Sequence, residues 1–318
     1  MAFPDVPRAP ARLEQGVVKT AQKGMRMMNG IDTFAVIGGD LRSAYLAGLL
    51  AEDGYKVITS GFDSTDLPPC VTGCTNPAQA VSLADCVILP LPVTTDDSTI
   101  NAPFSRMRIS LDQVLNPLLK RQYLVGGSVS DCVRREVEAR GLMIDDYFKR
   151  EELAVHNAVP TAEGAIQLAM EELPVTIGGA RCLITGYGRV GRVLSRLLVA
   201  LGAQVTVAAR KFADLAWAEA QGCHAVELSR MRESGDYDVI FNTVPSPLFD
   251  RPMLKALDKG TLLIDLASRP GGVDFNAAAE LQIKTIWALS LPGRVAPKSA
   301  GQIIKTTILN MIREGNAP

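Results

Sequence analysis

Short apolar runs alternate with amphipathic stretches along most of this chain. From Thr33, TFAVIGG reads as a strand, RSAYLAGLLAEDG as a helix and YKVITSGF as a second strand, and further apolar runs follow at CVILPLP, YLVGGS and LMIDDYF. The alternation resumes at RCLITG, continues through a helical pattern (Val193, Leu194, Leu197, Leu198, Leu201) into a strand around Val205 and Val207, and then repeats at VIFNTVP, TLLIDL and TIWAL. Strands alternating with helices predict parallel sheets covered on both faces. The expected fold class is therefore α/β, with two doubly wound parallel-sheet domains over 31–155 and 174–292. A linker helix over 156–173 joins them, started by Pro160 and carrying Glu163 in an acidic first turn. The last run, 293–318, has helical period at Ile303, Ile304, Ile308, Met311 and Ile312 and is expected to return to the first domain. Residues 1–30 carry prolines and basic residues with little periodicity and read as a flexible extension.

The junction at residues 186–191 changes the picture from architecture to chemistry. Gly186-Tyr187-Gly188-Arg189-Val190-Gly191 follows an apolar strand and opens a helix, as a Rossmann dinucleotide-binding unit requires. The first glycine permits the turn, the second lets backbone amides approach a pyrophosphate, and the third brings helix and strand close together. An NAD site places Asp or Glu at the end of the next strand, about 20 residues on, against the ribose hydroxyls. Here Arg210 and Lys211 stand at that point, which favours the 2′-phosphate of NADP. Asn242, Thr243, Val244 and Pro245, at the end of a later strand, are expected to flank the nicotinamide ribose.

Composition narrows the class further. The chain has 318 residues and a formal net charge of −1, which argues against nucleic acid or a membrane surface as partner. No apolar run is long enough to span a bilayer, and residues 1–30 lack the apolar core of a secretory signal, so a cytoplasmic protein is expected. The six cysteines are scattered, and Cys70 and Cys74 lack a second Cys/His pair, so no metal site is expected.

The first domain also opens with glycines, Gly38-Gly39-Asp40, but without the third glycine of a dinucleotide fingerprint. The turn is expected to aim amides at an anionic substrate group beside Arg42. Asn157 and Thr161, near the start of the linker helix, are expected as polar groups facing the substrate.

The ordered series AVIGGD, NAVPTAEGAI, GYGRVGR, NTVPSPLF, LIDLASRPGG and LPGRVAPKSAGQI resembles the A-subunit family of bacterial dipicolinate synthases, from about Ile31 to Ile312. The resemblance implies a two-domain architecture related to dehydrogenases of the formate/glycerate type. It implies oxidation of a dihydrodipicolinate to pyridine-2,6-dicarboxylate with NADP as hydride acceptor. It further implies that a B-subunit is the partner and that the setting is the mother cell of a sporulating bacterium, and it leaves a homo-oligomer open. A dicarboxylate needs cationic or polar partners on both flanks. Arg42, Ser128, Asn157, Thr161, Arg269, Arg294 and Ser299 are the substrate-binding candidates. The proton acceptor stays open between His156, Glu163, Lys298 and solvent, with His224 assigned to the entry of a strand. A hydroxyacid dehydrogenase of the same architecture would carry a histidine in LSLPGRVAPKS, which has none. A non-catalytic NADP-binding scaffold is the remaining alternative.

Overall fold

The computed structural model describes residues 30–233 and 235–315, so the expected N-terminal extension lies almost wholly outside the described residues. The chain divides into two compact units, one running to Phe148 and resuming at Ile304, the other spanning Lys149–Ile303.

The first unit contains β1 (Thr33–Ile37), α1 (Leu41–Glu52), β2 (Lys56–Ser60), β3 (Thr72–Gly73), α2 (Pro77–Ser82) and β4 (Cys86–Ile88). It continues with α3 (Leu111–Leu115), β5 (Tyr123–Gly126), α4 (Asp131–Ala139) and β6 (Asp145–Asp146). The sheet order is β3-β2-β1-β4-β5-β6, all parallel. Phe34, Ala35, Val36 and Ile37 of β1 are all buried, as a central parallel strand covered on both faces demands. Side-chain oxygens of Asp40, Asn76, Ser110 and Ser130 cap the N-termini of α1 to α4 in turn, satisfying amides that have no partner inside a helix.

The second unit contains α5 (Glu151–Glu172), β7 (Arg181–Thr185), α6 (Arg189–Ala200), β8 (Gln204–Ala209), α7 (Phe212–Ala220) and β9 (His224–Glu227). Then come β10 (Val239–Asn242), α8 (Arg251–Lys255), β11 (Leu262–Asp265), α9 (Phe275–Glu280), β12 (Lys284–Trp287) and α10 (Leu291–Val295). The order β12-β11-β10-β7-β8-β9 repeats the doubly wound topology, with the chain reversing direction between β7 and β10. Ligands bind in such folds at that reversal, outside the carboxyl ends of the strands.

Helix α11 (Pro297–Arg313) follows, and its residues from Ile304 onward belong to the first unit. Within that unit Lys305, 8% exposed in its side chain, donates to the Asp53 carboxylate at 2.7 Å and to the Leu49 carbonyl, fastening the segment to the end of α1.

The linker helix departs from expectation. It starts at Glu151 rather than near Pro160, with Glu151 and Glu152 forming its acidic first turn. Pro160 lies buried inside the helix. It deprives one carbonyl a turn earlier of its donor. The Thr161 hydroxyl donates to the Asn157 carbonyl at 2.7 Å beside that gap. The interior proline is tolerated because Leu153, Ala158, Ala162, Ala165 and Ala169 on the same helix are all essentially inaccessible, and their burial outweighs the missing bond.

Candidate functional site

Residues 186–191 take up the three glycine roles that the spacing requires. Gly186 has φ +90°, a left-handed backbone, and a Cβ there would stand 2.5 Å from the Thr243 hydroxyl. Its N–H donates to the Ala208 carbonyl, bringing the ends of β7 and β8 together. Gly188 is the N-cap of α6, and a Cβ built on it meets nothing within 4 Å. No side chain among the described residues caps α6, so its first amides, at the positive end of the helix dipole, carry no side-chain acceptor. Gly191 lies against the Gly186 carbonyl so closely that no side chain fits. An open, uncapped helix start beside a left-handed glycine suits a dinucleotide pyrophosphate.

The side chains around this turn differ in what they are free to do. Tyr187 is buried, donates its hydroxyl to Gln221 at 2.9 Å and has its pKa raised by burial, so it is a neutral donor. Arg189 is exposed and pairs with Glu151 at 2.9 Å. Val190 is half-buried within the first turn of α6. Arg210 and Lys211 follow β8 at the carboxyl edge, both exposed, and neither has a side-chain partner among the described residues.

Asn242 corrects the sequence expectation. Its side chain is fully buried, accepting from Thr185 Oγ1 at 2.6 Å and from Val244 N, and donating to Asp265 Oδ1 at 2.8 Å and to the Val244 carbonyl. It therefore shapes the loop from below rather than reaching a ribose. Thr243 donates its hydroxyl to the Thr185 carbonyl, and Val244 and Pro245 continue over the carboxyl edge beside Gly186. Asp265, also fully buried, accepts from Ala267 N and Gly272 N as well as from Asn242. This network, invisible in the sequence, fastens the loop that carries Arg269. The Arg269 guanidinium lies 5.5 Å over the Trp287 ring.

The remaining candidates of the second unit fall on α5, α10 and α11. His156 and Glu163 are exposed on α5. Glu163 lines an apolar groove with Ile166, Met170, Leu197 and Leu201, at the C-terminal half of α6 and away from the glycine turn at its start. That position argues against Glu163 as the proton acceptor. Asn157 Oδ1 is buried with no hydrogen-bond partner among the described residues, an acceptor left open. Arg294 is exposed on α10, and Lys298 and Ser299 are exposed in the first turn of α11. His224 begins β9.

In the first unit the glycine turn is closed. Gly38 N donates to the Ser60 carbonyl and Gly39 N to the Asn101 carbonyl, so neither amide is free for an anion. A Cβ at Gly38 would strike Ile100, Ala102 and the Asn101 carbonyl, because the chain after β4 folds over the turn. Arg42, 11% exposed in its side chain, is forked on the Asp40 carboxylate at 2.8–3.0 Å and also donates to the Leu91 carbonyl. Its charge is neutralised internally, which corrects its assignment to a substrate carboxylate. Ser128 follows β5 in a left-handed conformation (φ +53°), with its N–H held by Asp146 Oδ1 and its side chain exposed. A non-glycine residue there is strained by about 1–3 kcal/mol, a cost concentrated at functional loops.

No helix among the described residues is long and apolar enough to cross a membrane. Residues 33–148 match the family model of the N-terminal domain of the dipicolinate synthase A-subunit, and residues 153–286 match the NAD-binding domain of D-isomer specific 2-hydroxyacid dehydrogenases. The second unit is thus a nicotinamide dinucleotide-binding domain. The dipicolinate synthase A-subunit of Bacillus subtilis is 33% identical over 293 residues, covering 91% of this chain and 98% of that one. The crystal structure of the dipicolinate synthase A-subunit from Bacillus halodurans superposes with a TM-score of 0.81 at 30% identity, covering 88% of this chain and 97% of that chain. A transhydrogenase from Sinorhizobium meliloti, 16% identical with a TM-score of 0.65 and covering 89% of this chain and 96% of that chain, shares the fold. At 33% and 30% identity to the two A-subunits over about nine-tenths of its length, and with the dehydrogenase-type glycine turn intact, this chain belongs to the A-subunit family of dipicolinate synthases.

Proposed function

We propose that this chain oxidises a dihydrodipicolinate to pyridine-2,6-dicarboxylate with NADP as hydride acceptor. The observation that carries the cofactor assignment is the pair of cations, Arg210 and Lys211, without side-chain partners among the described residues, at the end of β8 beside the start of α6. Family membership supports the substrate. When bound, NADP would supply a hydride acceptor, and the reduced ring would give up one hydride and one proton to become aromatic, so the driving force is largely intrinsic to the substrate. The protein's task is orientation.

In this reading the uncapped amides of α6 hold the pyrophosphate and Thr243, Val244 and Pro245 wall the ribose. The exposed cations Arg269, Arg294 and Lys298, with Ser299, attract the substrate carboxylates. Asn157 offers its Oδ1, unpartnered among the described residues, to a donor on the reduced ring, and Thr161 offers its hydroxyl oxygen as a further acceptor. His156 is exposed and able to pass the ring proton to solvent. The relatives are named as one subunit of a synthase, which supports a B-subunit in partnership with this chain, and the product supports the mother cell of a spore-forming bacterium as the setting.

The test mixes purified chain, NADP and freshly generated dihydrodipicolinate precursor and follows dipicolinate and NADPH by ultraviolet absorbance. Equimolar formation of both by this chain alone is the expected result. Product formed equally well after the dinucleotide site is disabled would leave the chain a scaffold. A second measurement addresses the cofactor. Replacing Arg210 and Lys211 together by alanine is expected to weaken NADPH binding by about 100-fold and NADH binding by less than about threefold, the loss of charge-assisted bonds to one phosphate. Equal losses for both cofactors would remove the 2′-phosphate assignment.

A further inference from the structure

The cation next to the third glycine is held between the glycine turn and the helix that follows β8. Arg192, in the first turns of α6, donates from Nε to the Tyr187 carbonyl at 3.2 Å and from Nη2 to Asp214 Oδ1 at 3.0 Å. Its guanidinium carbon stands 5.5 Å from the centroid of the Tyr187 ring. Asp214 in turn lies in the first turn of α7, with its N–H bonded to the Lys211 carbonyl at 3.0 Å. Arg192 is therefore fixed beside the segment that carries Arg210 and Lys211, although it comes from a different element.

We propose that Arg192 is a specificity-determining residue that binds the 2′-phosphate of NADP as a third cation, and that Asp214 holds it ready and tempers its charge. The proposal rests on the NADP reading of Arg210 and Lys211 and deepens it. A guanidinium has five N–H donors, and those of Arg192 not spent on Tyr187 and Asp214 have no partner among the described residues. The side chain is 52% exposed, so those donors are open to solvent. The Tyr187 face and two hydrogen bonds fix the rotamer before any ligand arrives, which cuts the entropy lost on binding. A planar, forked cation suits a phosphate dianion better than a flexible ammonium does. The nearby carboxylate has the opposite effect: it partly neutralises Arg192 and repels the phosphate, so removing its charge should tighten the complex.

The experiment titrates intrinsic fluorescence with NADPH and with NADH for the natural chain, Arg192→Met and Asp214→Asn. Methionine keeps an unbranched stem against Tyr187 while removing the charge. Arg192→Met is expected to weaken NADPH by about 30-fold and NADH by less than about threefold, and Asp214→Asn to tighten NADPH by about threefold with NADH unchanged. A natural chain that binds NADH as tightly as NADPH would overturn the NADP reading itself, and the proposal with it. A natural chain that prefers NADPH while Arg192→Met weakens both cofactors alike, or neither, would overturn the proposal alone. Should Arg192→Met fail to fold, Asp214→Asn decides: selective tightening of NADPH supports the role, and unchanged affinity overturns it.

Discussion

Asp265→Ala is expected to destabilise the second unit by about 3–5 kcal/mol, the cost of breaking a buried, fully hydrogen-bonded charge site. The carboxylate has no solvent exposure and accepts from Asn242 Nδ2, Ala267 N and Gly272 N, at 2.8, 3.1 and 2.8 Å. Alanine leaves all three donors short of this acceptor in a space too tight for easy repair, since a Cβ at Gly272 would already stand 2.7 Å from the Val244 carbonyl. Asn242 would lose its orientation as well, and with it the hold on Val244 N beside the glycine turn. Urea unfolding followed by tryptophan emission reads the effect locally, because Trp287 Nε1 donates to the Ala267 carbonyl and the ring stacks on Phe275. A midpoint within error of the natural chain's would show that the network adds nothing.

Gly191→Ala is expected to abolish measurable dinucleotide binding, with an affinity loss above about 100-fold, and to cost about 3 kcal/mol of stability. The new methyl would collide with the Gly186 carbonyl, and both groups are backbone-anchored, so relief requires α6 to separate from β7. Gly188→Ala is the instructive contrast. Its φ of −82° suits alanine and nothing lies within 4 Å of the added atom, so the fold is left alone while the approach of a pyrophosphate is obstructed. Calorimetric melting beside cofactor titration separates the two. Gly191→Ala should lose both stability and binding, and Gly188→Ala binding alone. A stable, fully binding Gly191→Ala protein would contradict the close-packing argument.

The features legible in the sequence are those written in short range. Strand–helix alternation and the GYGRVG string state their own geometry, because glycine tolerances act within a few residues. The start of α5 is harder to place because Pro160 reads locally as a first-turn proline, whereas burial along the whole helix carries it through. Glu151 and Glu152 are the available signal. The Gly38-Gly39 turn reads as open in the sequence because the carbonyls that satisfy it come from Ser60 and Asn101, which no local pattern places there. Asn242 sits at the strand end where a ligand contact is reasonable, yet its partners Thr185 and Asp265 belong to neighbouring strands and draw it inward. Arg192 escapes a linear reading for the same reason: its meaning comes from Asp214, a residue on the next helix.

Because the first unit is completed by residues from Ile304 onward, the order of synthesis and the order of folding run opposite to each other. Nascent chains usually fold from the N-terminus domain by domain. Here every residue of the second unit has left the ribosome before Lys305 can reach Asp53 or Ile304, Ile308, Met311 and Ile312 can be buried. The dinucleotide-binding unit is contiguous and free to fold first, and the other must wait, its α1 end bare, for residues made after the whole second unit. Helix α11 thus ties completion of the domain begun first to synthesis of the whole domain begun second.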